Sequence, residues 1–340
     1  MTDEQNIVHQ IEYRWHDWRD LSPVASTMSQ QSLRGWDSKI RAWVRHPHVD
    51  GLQESVCYQL LPNGRAALAW RYEDWQAAKR EDGMRGRPLV SRVLAGHSSL
   101  LTPEAAIVLS RTGPQATFGP PPGQVTAETK LAVVTADELS SLIRERTDSL
   151  DEEAARQDGL RQVVAAALSH PHTPLAIHIP DRYVLNRLQE GWQCPLLWGL
   201  RRIVWPLLAN TGRGWSFSTY EPRLGDVDPT SLPDILFRQV QDVPPTAPTR
   251  PRDEIKIHPF GPTARDGSSP HSDLADRLVA EYAERGGGEL QRLITAWCGA
   301  EQSLKPRLDK VHQELGARQS RTPNTASVFR APRCSGQGMA

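Results

Sequence analysis

Apolar and polar positions alternate most sharply on either side of Pro62-Asn63-Gly64. Val56, Tyr58 and Leu60 alternate on one arm, and Leu68, Trp70 and Tyr72 on the other. Asn-Gly suits a tight turn whose central residues need positive φ, so Ser55–Tyr72 is expected to form a β-hairpin. Upstream, Ile7, His9, Ile11 and Tyr13 also alternate, predicting a strand over Ile7–Trp15. The period then changes. From about Ser29, the residues Leu33, Trp36, Ile40 and Trp43 recur every three or four positions, the apolar stripe of a helix. A Trp-rich stripe of this kind reads as core packing. Leu89–Leu94 reads as a further strand. Thr102-Pro103-Glu104 opens a helix, because Thr102 suits the cap and Pro103 the first helical position.

Thr112–Thr126, rich in Gly and Pro, marks a break, and a second block follows. A strand is expected over Lys130–Val134. Thr135 and Glu138 stand at capping-box spacing before a helix faced by Leu139, Leu142 and Ile143. A second helix is read over Asp151–Ser169, ended by Pro171, and a strand over Leu175–Ile179. Further helices are read from Asp181 (Val184, Leu185, Leu188, Trp192) and after Pro195, and strands over Gly214–Tyr220 and Ile235–Val240. This alternation of strands and helices predicts a sheet that is at least partly parallel. The fold class is therefore α/β: a mixed-sheet N-terminal domain with a β-hairpin (1–120), a second α/β domain (127–241), a Pro-rich linker (242–270), a helical C-terminal appendage (271–317) and a disordered tail (318–340). In the appendage, Leu304, Leu308, Val311 and Leu315 keep a 4-3-4 spacing. That seam serves either a homo-oligomer or packing within the chain.

Composition narrows the function classes. The 340 residues carry 40 Lys+Arg and 40 Asp+Glu, a balance unlike that of a dedicated nucleic-acid binder. Cys57, Cys194, Cys298 and Cys334 lie far apart without CxxC or zinc spacing, which points to free thiols in a reducing cytoplasm. The polar, acidic start MTDEQNIVHQ does not resemble a signal peptide, and no apolar run reaches the roughly 20 residues of a membrane span. Trp192–Leu208 comes nearest and reads as a buried amphipathic helix. A cytoplasmic location is expected.

Candidate chemistry is sparse. The turn Glu81-Asp82-Gly83-Met84-Arg85-Gly86-Arg87-Pro88 sets Gly against Arg and is either a flexible turn with solvated charges or a site that presents guanidinium forks; in the second case Asp82, Arg85 and Arg87, with Arg92 on the next strand, are the candidate binding residues. Ser216, Ser218 and Tyr220 put hydroxyls along a strand whose apolar face holds Trp215 and Phe217, a hydrogen-bonding surface for a ligand or a solvated strand face. His46-Pro47-His48 and His170-Pro171-His172 are read as helix ends and not as metal ligands. Asp226 and Asp228 are read as a solvated loop, and Cys57 as a small strand hydrophobe. GxxxxGK[ST], GxSxG, HExxH and the Rossmann glycine pattern are absent from the sequence, and no cofactor or metal is expected.

Three segments together carry a likeness: NGRAALAWR with the following DGMRGRPLVSRVLAG, the helix start TPEAAIVL, and WSFSTYEP. Over about Ile7–Val240 the chain resembles the GTPase-associated adaptor proteins of bacterial conflict systems. That resemblance implies a non-enzymatic role as partner of a GTPase in signalling or defence, and it supplies no catalytic residues. The sequence departs from the family in its basic Pro-rich linker and short helical end. Two other classes stay open: a hydrolase or transferase with a pocket beneath Ser216–Tyr220, and a homo-oligomeric scaffold joined through Leu304–Leu315.

Overall fold

The computed structural model describes residues 6–16, 20–44, 54–73, 89–113, 119–120, 124–179, 191–209, 211, 214–221, 232–239, 254–259, 271–301 and 303–321. The protein is mixed α/β. Ten strands are present among the described residues: β1 (Ile7–His16), β2 (Asp20–Ser26), β3 (Glu54–Leu61), β4 (Arg65–Glu73), β5 (Leu89–His97), β6 (Val134–Thr135), β7 (Leu175–Ile179), β8 (Phe217–Ser218), β9 (Ile235–Gln239) and β10 (Ile255–Ile257). Seven helices are present among the described residues: α1 (Gln30–Ile40), α2 (Pro103–Thr112), α3 (Ala136–Ala155), α4 (Leu160–Ser169), α5 (Gln193–Leu208), α6 (Ser272–Cys298) and α7 (Leu304–Arg321).

All ten strands belong to one sheet, in the order β10-β7-β9-β8-β3-β4-β5-β1-β2, with β6 paired to β1. The half built from β1–β5 is antiparallel. The half built from β7–β10 is parallel. The halves meet where Cys57 and Tyr58 of β3 pair antiparallel with Ser218 and Phe217 of β8. The expected boundary near Thr112–Thr126 therefore separates two blocks of sequence but not two sheets. One core runs through both blocks, from Val8 through Trp70, Val164, Ile177 and Trp198 to Leu315.

Local chemistry explains the elements that were read correctly. At the hairpin turn Asn63 and Gly64 both take positive φ (63° and 67°), a region that L side chains other than Asn and Asp avoid. Thr102 caps α2 by accepting from Ala105 N at 3.2 Å. The capping box of α3 is complete, with Thr135 N donating to Glu138 Oε2 at 2.8 Å and Glu138 N donating to Thr135 Oγ1 at 3.3 Å. β7 spans the predicted Leu175–Ile179.

Other expectations need correction. The helix read over Asp151–Ser169 is two elements: Asp151 lies in the last turns of α3, and α4 begins only at Leu160. The strand expected over Lys130–Val134 shrinks to β6, and the one over Gly214–Tyr220 to β8. The segment read as a linker, 242–270, contributes β10, which pairs parallel with β7 through Ile255↔Leu175. α7 continues to Arg321, past the expected end of the helical part. The helix expected from Asp181 begins outside the described residues, and Trp192 caps α5 instead. On β3 both faces are buried, because it is a central strand with elements on either side.

Helices cover the two faces unequally. α1 lies on one face, where Trp36 and Ile40 close a small core with Ile11, Tyr13, Val93 and Ala95. The large core lies on the other face. There α5 is buried on nearly every side between α2, α3, α4 and α6, which suits a helix that is apolar all round. Pro206 within α5 has no N–H to give the Arg202 carbonyl. That carbonyl accepts instead from Gln291 Nε2 of α6 at 3.3 Å, and the Pro206 carbonyl accepts from Arg307 of α7. The turn around Pro206 thus becomes a docking point for both C-terminal helices. As expected from Gly286–Gly288, α6 is interrupted, with Gly286 at φ 76° and ψ 164°.

The predicted oligomer seam is used up by this docking. Leu308, Val311 and Leu315 are buried in the large core, and Leu304 packs against it. Of the two uses left open for the 4-3-4 spacing, packing within the chain is the one observed. Among the described residues no helix is long and apolar enough to cross a membrane.

Candidate functional site

The residues singled out from sequence fall into two groups. Asp82, Arg85 and Arg87 lie outside the described residues, as do His46–His48, Asp226 and Asp228. Arg92, Ser216, Ser218, Tyr220 and Cys57 are buried in structural roles, whereas His170 and His172 are exposed. Arg92 is fully buried: its Nε donates to Glu12 Oε2 at 2.6 Å, and its other nitrogens to Gln10 Oε1 at 3.3 Å and Pro120 O at 3.1 Å. It cannot reach a partner protein, which corrects its assignment as a contact residue. The reason is that β5 is flanked by β4 and β1, with both of its faces covered.

Ser216, Ser218 and Tyr220 are buried too, so the hydroxyl-bearing stretch is neither a solvated face nor an open ligand surface. Ser216 bonds Asp234 at the start of β9, through its backbone N at 3.1 Å and its hydroxyl. Ser218 Oγ accepts from Arg71 Nη2 at 2.9 Å and donates to Tyr220 O at 3.0 Å. Arg71 of β4 organises this region. It donates to Ser55 Oγ at 3.0 Å, Tyr220 O at 3.1 Å and Glu221 Oε1 at 2.7 Å, with its side chain 2% exposed. Beside it, burial pushes the Cys57 thiol up to about 12, with the Arg71 charge opposing, so the thiol stays protonated at neutral pH. That is the chemistry of a packed strand residue and not of an activated nucleophile. His170 caps the end of α4, the place read for it. Among the described residues no three His, Cys, Asp or Glu side chains are grouped to hold a metal.

An open cleft among the described residues lies elsewhere, at the end of the sheet face that α1 covers. Strand register sets it up. Arg65 opens β4 directly opposite His97, which closes β5. On β1, Val8 pairs with Gly96 and His9 with Ala95, so His9 and His97 stand on one face of adjacent strands. The first turns of α1 pass over this corner and leave a cleft of about 350 Å³. Its lining includes His9, Gln31, Trp36, Asn63, Arg65 and His97. The Arg65 guanidinium carbon lies 5.1 Å from the Trp36 ring centroid, within cation–π range. His97 is fixed from two sides. Its Nδ1 bonds Ser99 Oγ at 2.7 Å, and its Nε2 lies where a Cβ on Gly64 would come within 2.9 Å. His9 Nδ1 bonds Thr27 Oγ1 at 3.1 Å.

Sequence reasoning missed this cleft, although two signals were present. The hairpin turn fixes where β4 begins, and the alternation in β1 places His9 with Ile11 and Tyr13. What the sequence did not supply is that β1 and β4 flank β5, which brings Arg65, His97 and His9 together.

Compared with known proteins, the chain matches no family model, and no curated protein matches it.

Proposed function

We propose that this chain is a non-enzymatic adaptor of the cytoplasm whose partner is a GTPase of a bacterial signalling or defence system. The observation that supports the reading is where the three segments of the family resemblance lie. Their described parts, 63–71 with 89–96, 102–109 and 215–221, meet in one packed unit at the middle of the sheet, although the last is distant in sequence from the others. The hairpin pairs with β5 and with β8. Tyr58 of the hairpin donates to Leu101 O, just before α2, at 2.8 Å. Arg71 of the hairpin holds Ser218, Tyr220 and Glu221 of the third segment. Motifs that converge on a common core are what a shared fold would leave in a sequence, and that convergence is what favours the reading. Arg71, Ser55, Ser218, Tyr220 and Glu221 of that unit are bonded to one another in the interior, which suits a scaffold more than a reaction centre.

The experiment is a tagged recovery of the protein from its native cells, read by mass spectrometry, with and without a non-hydrolysable GTP analogue. A stoichiometric GTPase whose recovery changes with nucleotide is the expected result. Recovery of the chain alone in both conditions overturns the reading.

A further inference from the structure

The charged groups of this protein divide unevenly. Arg71, Arg92, Arg201 and Arg238 are buried and Arg202 is half-buried, and each lies within 4 Å of a carboxylate: Glu221, Glu12, Glu104, Glu254 and, for Arg202, Asp151 at 3.6 Å; the buried Arg307 is held by the Pro206 carbonyl instead. Arg65 is half-buried, and among the described residues it makes no ion pair; it rests on Trp36. Stacking on an indole leaves the guanidinium edge, with its planar fork of N–H donors, free to bond in its own plane. Around it stand His97, His9, Asn63, Gln31 and Ser32, and the cleft lining contains no Asp or Glu.

We propose that this cleft is a binding site for a small oxyanion-bearing ligand, a phosphate or a carboxylate, with Arg65 as its bidentate anchor and His97 and Asn63 as flanking hydrogen-bond groups. The inference goes beyond the adaptor reading and does not depend on it. Three observations carry it. A half-buried cation without a carboxylate favours an anion, since burying part of a charge costs free energy that a partner offsets. Arg is the side chain whose geometry matches both phosphate and carboxylate in a two-point contact. The cleft, about 350 Å³, is at the lower end of the size that small-molecule sites occupy, roughly 300 Å³ and upward. The exposed Asn63 sits on a turn held in place by Ser98 N donating to Gly64 O at 2.8 Å, so the rim is ordered before a ligand arrives.

Isothermal titration of the full chain with inorganic phosphate and, separately, with succinate tests the proposal and distinguishes the two sources. Saturable one-to-one binding of at least one probe is expected, weakening as NaCl is raised. Arg65→Gln should reduce that affinity by about tenfold or more, the loss of a charge-assisted pair of bonds. Arg65→Lys should recover only part of it. Gln31→Glu is the control that does not touch the packing. Gln31 is exposed in the first turn of α1, where an acidic residue favours the helix, yet its carboxylate would occupy the anion's place. That variant should melt no lower than the wild type and bind neither probe. Absence of binding by both probes, or binding by Arg65→Gln and Gln31→Glu at wild-type affinity, overturns the proposal.

Discussion

Replacing Asp151 by Ala should loosen the C-terminal helices more than any other single change at a part-exposed site. Asp151 sits in the last turns of α3 and accepts three hydrogen bonds from two other helices. Trp198 Nε1 of α5 donates at 2.6 Å, Tyr282 OH of α6 at 2.9 Å and Gly287 N of α6 at 2.9 Å. Arg202 Nε adds charge at 3.6 Å. Gly287 is the residue just past the Gly286 interruption, so the carboxylate caps the second segment of α6 where its first N–H groups lack helical partners. The alanine leaves these donors without an acceptor. A bond to a charged group contributes about 1.5–3 kcal/mol, and stranding a buried donor costs about 1–3 kcal/mol. The terms are not additive, and the side chain is 14% exposed, so water can replace part of the loss. The expected destabilisation is about 3–4 kcal/mol, and about 1–2 kcal/mol for Asp151→Asn, which keeps one acceptor oxygen. Urea unfolding followed by tryptophan fluorescence measures the total. Limited proteolysis shows whether α6 and α7 detach first, as a sub-global opening would predict. A change under about 0.5 kcal/mol with an unaltered cleavage pattern would refute the docking role.

Leu308→Ala removes a side chain 6% exposed in the large core and should cost about 2–4 kcal/mol in urea unfolding, while light scattering reports the same mass as the wild type; a changed mass would restore the oligomer seam. Arg71→Ala strands Glu221 and should cost about 3–5 kcal/mol, seen as a large fall in melting temperature, and a fall of only a degree or two would contradict the pairing. Burial pushes the Cys57 and Cys194 thiols from 9.0 up to about 12, and it also raises the Tyr13, Tyr58 and Tyr282 phenols. The folded state therefore holds protons that the unfolded state releases, so the thiols' contribution is full below about pH 9 and is lost between there and about pH 12. Stability measured across that range should fall, and alkylation of the native protein at pH 8 should leave both thiols intact; rapid labelling of either at that pH would contradict the burial.

How far the sequence spoke for itself depended on whether the deciding interaction was local. The hairpin, the cap of α2 and the capping box of α3 are settled by neighbours within a few residues, and all three stand as read. So does β7, a short apolar run between turns. The single sheet was not legible, because it rests on Cys57 and Tyr58 meeting Ser218 and Phe217 from a distant block, and no local pattern encodes that pairing. Arg92 shows the same limit in one residue. Its charge suggested the surface, yet Glu12 lies opposite it in the β1–β5 register and takes it into the interior. The hydroxyls of Ser216 and Ser218 looked like a polar face because their acceptors and donors, Asp234 and Arg71, come from strands the sequence does not place beside them.

The pairs that the sequence could not reveal also explain why the overall charge is uninformative. A chain with 40 cationic and 40 anionic side chains gives no hint of its partners. Inside the fold, part of that balance is used to join segments: Arg71 to Glu221 across the change from antiparallel to parallel pairing, Arg201 to Glu104 between α5 and α2, Arg238 to Glu254 between β9 and the start of β10. Buried pairs of this kind give little net stability over apolar packing. Losing one member is costly, however, so they fix which segments belong together. An arginine in such a pair is committed to the fold and is a poor choice for recognition. The same reasoning makes Arg65 the informative one, since it is held by an aromatic face instead of a carboxylate and opens onto a cleft whose lining carries no acid. In this protein, the arginine to substitute in search of function is the one that opens onto a cleft without a carboxylate, Arg65, and those held in the interior by a carboxylate or, like Arg307, by a carbonyl are those to substitute in search of stability.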